Sequence, residues 1–108
     1  MNVVFHVDNL QQVNQVLSNI ENLQAEDSSI NIVVVFVKDA IKALLNESPH
    51  KQKLILLNLK GVLFEACQHS LNKQEVAANQ LLAFVKVVSA GVFQVVQYQH
   101  NGYAYIKV

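Results

Sequence analysis

Arginine is absent from this chain, and its eight positive side chains are all lysine, balanced by eight carboxylates. Arginine supplies the planar fork that grips phosphate and guanine edges. With none of it, and no basic run either, nucleic acid is not an expected partner. Cysteine occurs once, so no internal disulfide can form, and a reducing, cytoplasmic compartment is expected. Long apolar runs are also missing. The longest, such as Ile32 to Val37, fall far short of a bilayer span, so no membrane association is expected. The opening "MNVVFHVDN" lacks a basic region and a cleavage site, and is not read as a signal peptide. Charged residues make up 15% of the chain against 52% apolar. Much of each element must therefore be covered, on both faces of a sheet or at subunit contacts. Walker, G-x-G-x-x-G, G-x-S-x-G and H-E-x-x-H patterns are all absent, which removes the strongly marked NTPase, dinucleotide, hydrolase and zincin readings.

What is present alternates between two periods. "NVVFHV" (2–7), "INIVVVFV" (30–37), "VLFEA" (62–66), "FVKVV" (84–88) and "YAYIKV" (103–108) are short runs rich in Val, Ile, Phe and Tyr. They read as strands covered on both faces. Between the first two, apolar positions 10, 13, 16, 17, 20 and 23 recur at helical spacing, with Asp8 or Asn9 available as cap. A short helix "AIKALLN" behind Asp39 follows the second strand. Another helix opens at Ser48-Pro49 and stops at Gly61. Residues 68–82 read as helical turns with Asn72 and Asn79 as caps, and "VFQVVQYQH" (92–100) as a last helix. The one proline and three glycines stand at these boundaries. Strands alternating with helices predict an α/β fold around a parallel sheet, joined by right-handed crossovers. The 108 residues suit one domain, 1–108.

In an open α/β sheet, ligands gather beyond the carboxyl ends of the strands. Those ends are expected near His6 and Asp8, at Lys38, at Cys67 and at Ser89 to Gly91, with His69 just past the thiol. The thiolate is the reactive form of cysteine, and helix N-termini, lysine and imidazolium favour it. Glu65, on the same strand face, opposes it. From the residues alone Cys67 is either a nucleophile or a small buried hydrophobe. Lys38 and the Ser89-Ala90-Gly91 turn are candidate anion contacts, the turn through backbone N–H groups or else simply as a cap. Cys-x-His without a second cysteine is a poor zinc signature, so neither metal nor other cofactor is expected. Tyr103 and Tyr105 share one side of the final strand, where sheet packing or a subunit contact is expected.

"VVFHVDN", "GVLFEACQHSL" and "VVSAGVFQVVQYQHNGYAYIKV", in this order and over nearly the whole chain, resemble the DsrE/DsrF-like family of small intracellular sulfur-metabolism proteins, in its short single-domain branch. The resemblance rests on a first strand ending in histidine, Gly-Val-x-Phe-x-x-Cys, Ala-Gly-Val opening the last helix and Gly-Tyr-Ala-Tyr-Ile in the final strand. It implies a three-layer α/β/α sandwich with a five-stranded, mainly parallel sheet, and a homo-oligomer: a dimer, trimer or hexamer. It also implies sulfur handling, in which Cys67 accepts sulfane sulfur as a persulfide and passes it between donor and acceptor proteins. His69 and His6 would tune the thiol. The alternative is a non-catalytic oligomeric module holding a small anion or a partner protein, with Cys67 structural.

Overall fold

Asn2–Val7 forms strand β1 at the middle of the sheet, in a computed structural model that describes Met1–Val108. Asn9 accepts the N–H of Gln11 at 2.9 Å and opens a 3-10 turn, Leu10–Gln12, that runs into helix α1, Val13–Glu26. The helix buries Val13, Val16, Leu17 and Ile20, the stripe predicted from their spacing. Strand β2 spans Asn31–Phe36. The next segment departs from expectation. Lys38–Leu44 is a 3-10 helix without a side-chain cap, entered through Lys38 at φ 53°. Asp39 instead reaches back to accept the N–H of Leu10 at 2.9 Å, so it caps the preceding helical entry.

Helix α2, Lys51–Leu59, begins two residues after Pro49, where Ser48 Oγ accepts the N–H of His50 at 3.0 Å. Gly61, at φ 96°, turns the chain into strand β3, Leu63–Cys67. Helix α3, Gln68–Lys73, starts directly on the strand's last residue. The helical region expected to reach residue 82 ends earlier, because the chain reverses at Glu75, φ 57°. Neither asparagine caps there: Asn72 accepts a bond from Gln68 within α3, and Asn79 lies inside a 3-10 turn, Ala78–Gln80. Strand β4 is only Lys86–Val88, since Phe84 turns inward to pack on Phe64, ring centres 6.0 Å apart. Helix α4, Gly91–His100, and strand β5, Ala104–Lys107, complete the chain.

The sheet order is β4-β3-β2-β1-β5 and all four pairings are parallel. Alternation along each strand sorts the side chains onto two unequal faces. Val3, Phe5, Val7, Ile32, Val34, Phe36, Phe64 and Ala66 point into a 23-residue core with α1, α2, α3 and the 38–44 helix. Val4, Val33 and Val35 point the other way and meet Val95 of α4, with Val37, Tyr98 and Tyr103 packed around them. Three crossovers step across the sheet in one direction with their helices on one face. The fourth returns in the opposite direction with its helix on the opposite face, so all four share one hand. The result is the expected α/β/α sandwich, with one outer layer reduced to a single helix. No helix is long and apolar enough to cross a membrane.

Candidate functional site

Because every strand runs the same way, the carboxyl ends of β1, β2 and β3 share a rim, and α4 begins beside it. A cleft of about 340 Å³ opens there. Of the six residues expected at a site, five line it: His6, Lys38, Cys67, His69 and Gly91. Ser89 does not. It is exposed before α4, and the residue at the N-cap is Ala90, which offers no side-chain bond. Asp8 and Ser70 join the lining from either side.

Cys67 lies at the base, 6% exposed. Burial alone would raise its pKa. The N–H of Gly91, the N–H and hydroxyl of Ser70 and the N–H of His69 outweigh that and hold the thiol below its ordinary 9.0. Ser70 is placed for this by helix geometry: three residues after Cys67, the N-cap of α3, its side chain returns over the first turn. Its Oγ accepts the N–H of Lys38 at 2.7 Å, leaving the hydroxyl proton for the sulfur. The left-handed turn at Lys38 is what aims that N–H at Ser70, and it leaves the lysine side chain exposed at the mouth.

Gly91 is glycine for a steric reason. A Cβ there would stand 2.5 Å from Val37 Cγ1, 3.2 Å from Val35 Cγ1 and 3.3 Å from Cys67 Cβ. The first turn of α4 is thus packed at closest approach to β2 and β3.

His6 bonds through Nδ1 with the hydroxyl of Tyr105 at 2.9 Å. Its pKa is lowered by partial burial first; Asp8 pulls it up, and Lys107 and Lys38 push it further down. The imidazole is therefore neutral at neutral pH. Asp8 pairs with Lys107 Nζ at 2.9 Å, a bond that depresses its own pKa. His69 stands exposed at the lip. No group of three or more His, Cys, Asp or Glu is placed to hold a metal ion.

Two residues of this neighbourhood carry more than their sequence positions suggested. Glu65, on the thiol's strand face as expected, is 2% exposed. Its Oε2 accepts the hydroxyl of Tyr98 on α4 at 2.7 Å, while its Oε1 has no partner. Tyr98 packs on Tyr103, ring centres 4.8 Å apart, and burial together with the Glu65 carboxylate keeps its phenol protonated. Ser70 has a sequence signal, its offset of three from the cysteine; the Tyr98–Glu65 pairing, 33 residues apart, has none.

The whole chain, residues 1–108, matches the family model described as the DsrE/DsrF-like family. A protein of unknown function from Methanobacterium thermoautotrophicum is 35% identical over 99% of this chain and 98% of its own, with a TM-score of 0.93. The ychN protein of E. coli matches over the full length of both chains at 14% identity and a TM-score of 0.83. A conserved protein of unknown function from Bacteroides thetaiotaomicron matches over 99% of this chain and 94% of its own, at 19% identity and a TM-score of 0.70. The last two likenesses are of fold alone. No curated protein matches the chain.

Proposed function

Because this chain belongs to the DsrE/DsrF-like family, which is linked to sulfur metabolism, we propose that it is a sulfur carrier whose Cys67 holds sulfane sulfur as a persulfide. One observation carries the reading. A thiol that burial would keep protonated is surrounded by three N–H groups and a hydroxyl that favour its anion. In the loading step the Cys67 thiolate attacks the outer sulfur of a donor persulfide. The Sγ–S bond forms, the donor's S–S bond breaks, and the donor leaves as a thiolate. In release, an acceptor thiolate attacks that same outer sulfur and Cys67 leaves as a thiolate. The sulfur moves with no net gain or loss of electrons.

Each lining residue has a part in this scheme. The donors at Gly91, Ser70 and His69 hold whichever anionic sulfur occupies the base. Neutral His6 takes or returns a proton at the terminal sulfur, and the exposed His69 orients it. Lys38 draws the anionic group of a donor or acceptor to the mouth. Ser89, outside the lining, is given no part. The setting is a reducing one, the cytoplasm, where the thiol stays free.

The direct test is the alkylation rate of Cys67 against pH in the folded protein, followed by its mass after exposure to a sulfane-sulfur donor. The rate should rise with pH and level off with a midpoint below 9.0. The mass should gain one sulfur atom, removable by a reductant and located on Cys67. A thiol that reacts only after unfolding and takes up no sulfur overturns the carrier reading. The cleft would then be a binding module for a small anion or partner protein, with Cys67 as lining.

The chain is further proposed to be a homo-oligomer, a dimer, trimer or hexamer. On α4, Val92, Phe93 and Val96 turn outward, 68%, 57% and 56% exposed. Val92 also lines the cleft, so a subunit seated on this helix would roof the thiol and limit water around a persulfide. Phe93→Glu is expected to reduce the sedimentation coefficient to that of a monomer with an unchanged far-UV CD spectrum. An assembly of unaltered size would show that this helix face is not the contact.

A further inference from the structure

Helix α4 is weakly fastened for a helix with a role at its first residue. Its sheet-facing stripe is Gly91, Gln94, Val95 and Tyr98, at offsets of three, four and seven. Only Gly91 and Val95 of that stripe are buried, and the larger apolar residues of the first two turns face outward. One valine supplies little apolar burial. Tyr98 adds its half-buried ring, packed with Tyr103 against the small valine cluster, and the one polar anchor, its hydroxyl on Glu65 Oε2 at 2.7 Å. Glu65 sits two residues before Cys67 on the same face of β3. The strand that carries the thiol therefore also carries the post to which α4 is tied. A buried carboxylate with one unpartnered oxygen destabilises a fold. An apolar residue would remove that cost but would not hold the phenol.

From this geometry we propose that Glu65 and Tyr98 are positioning residues for Cys67: by tying α4 to β3 they hold the Gly91 N–H against the sulfur. The tie acts through the helix. Gly91 sits at closest approach to Val35, Val37 and the Cys67 Cβ, so tilting of α4 away from the sheet at Tyr98 loosens this packing and withdraws the N–H. The inference bears on the carrier reading through the reactivity of Cys67, but its test uses alkylation alone and needs no sulfur donor, so the two can fail separately.

The test compares two variants that both lack the Glu65 charge. Glu65→Gln keeps an acceptor for the Tyr98 hydroxyl, whereas Glu65→Leu removes it and fills the space with apolar surface. The pH midpoint of Cys67 alkylation in the folded protein should be higher in E65L than in E65Q by roughly one to two units, the scale of one lost donor to an anion. Tyr98→Phe, with the charge retained, should raise the midpoint above wild type and speed hydrogen exchange at the Gly91 amide. Equal midpoints in E65L and E65Q overturn the proposal, and so does a folded Y98F with the wild-type midpoint. If Y98F does not fold, the Gln and Leu pair still decides, because neither leaves a buried charge without its partner.

Discussion

Cys67→Ser is expected to take up no sulfane sulfur at all, under conditions where the wild type gains one sulfur atom. Serine fits the space of the thiol, and the N–H groups of Gly91, Ser70 and His69 remain to meet it. What is lost is the nucleophile: a hydroxyl is not ionised at neutral pH, and this is the chain's only cysteine. The variant should keep the wild-type CD spectrum and assembly size. The substitution also isolates a pH dependence of stability. The folded thiol has a pKa below its unfolded value, so the unfolded chain binds more protons between the two. The ionisation term is fully present above the unfolded pKa and is lost as pH falls through the folded one. Wild type should therefore gain stability relative to C67S as pH rises across that window. Chemical denaturation at several pH values reads this difference, and a difference independent of pH would mean the donors do not favour the anion. Sulfur uptake by C67S would remove Cys67 from the reaction.

Gly91→Ala is expected to disturb both the fold and the thiol. The added Cβ meets Val37 Cγ1 at 2.5 Å, with Val35 and Cys67 at 3.2 and 3.3 Å. Valine is stiff about χ1, and Val37 has the turn at Lys38 immediately after it, so the relief falls on α4, whose first turn must lift. Such overpacking costs about 1–3 kcal/mol. In a domain of this size that lowers Tm by roughly 4 °C or more. Lifting α4 also takes the Gly91 N–H from the sulfur, so the alkylation midpoint should rise toward that of an ordinary thiol. Val37→Ala in the same chain makes room for the new methyl and should recover part of both losses. A G91A protein with wild-type Tm and midpoint would show that Val37 gives way freely and that the approach of α4 is not sterically set.

The strands are legible in the sequence because each is a short β-branched run bounded by a turn, and parallel strands buried on both faces need no alternation. Their carboxyl ends follow from that reading, which is why five of six expected site residues meet in one cleft. Ser89 misses because its position beside α4 was inferred from chain order, and helix caps are set by single side-chain geometries. The same holds for Asp39: its carboxylate precedes one helix in sequence but stands in space under another. The role of Tyr98 is illegible for a different reason. In "VFQVVQYQH" the outward Val92, Phe93 and Val96 carry the same apolar letters as the inward Val95. Hydrophobic spacing cannot tell a face that meets a sheet from one that meets solvent or another subunit.

The unequal faces of the sheet also divide the chain into two parts. All 23 buried residues of the larger core lie between Val3 and Leu82, and three of the four strand pairings use only β1 to β4. Detaching α4 and β5 would leave that core in place. It would open the edge of β1, turn Val4, Val33 and Val35 to water, and take the helix from beside the thiol of Cys67. Bare sheet edges invite pairing with other chains. Gly91–Lys107 thus covers one face of the sheet and closes the edge of β1 together. The setting of Cys67 therefore depends on the part of the chain that shares least with the larger core.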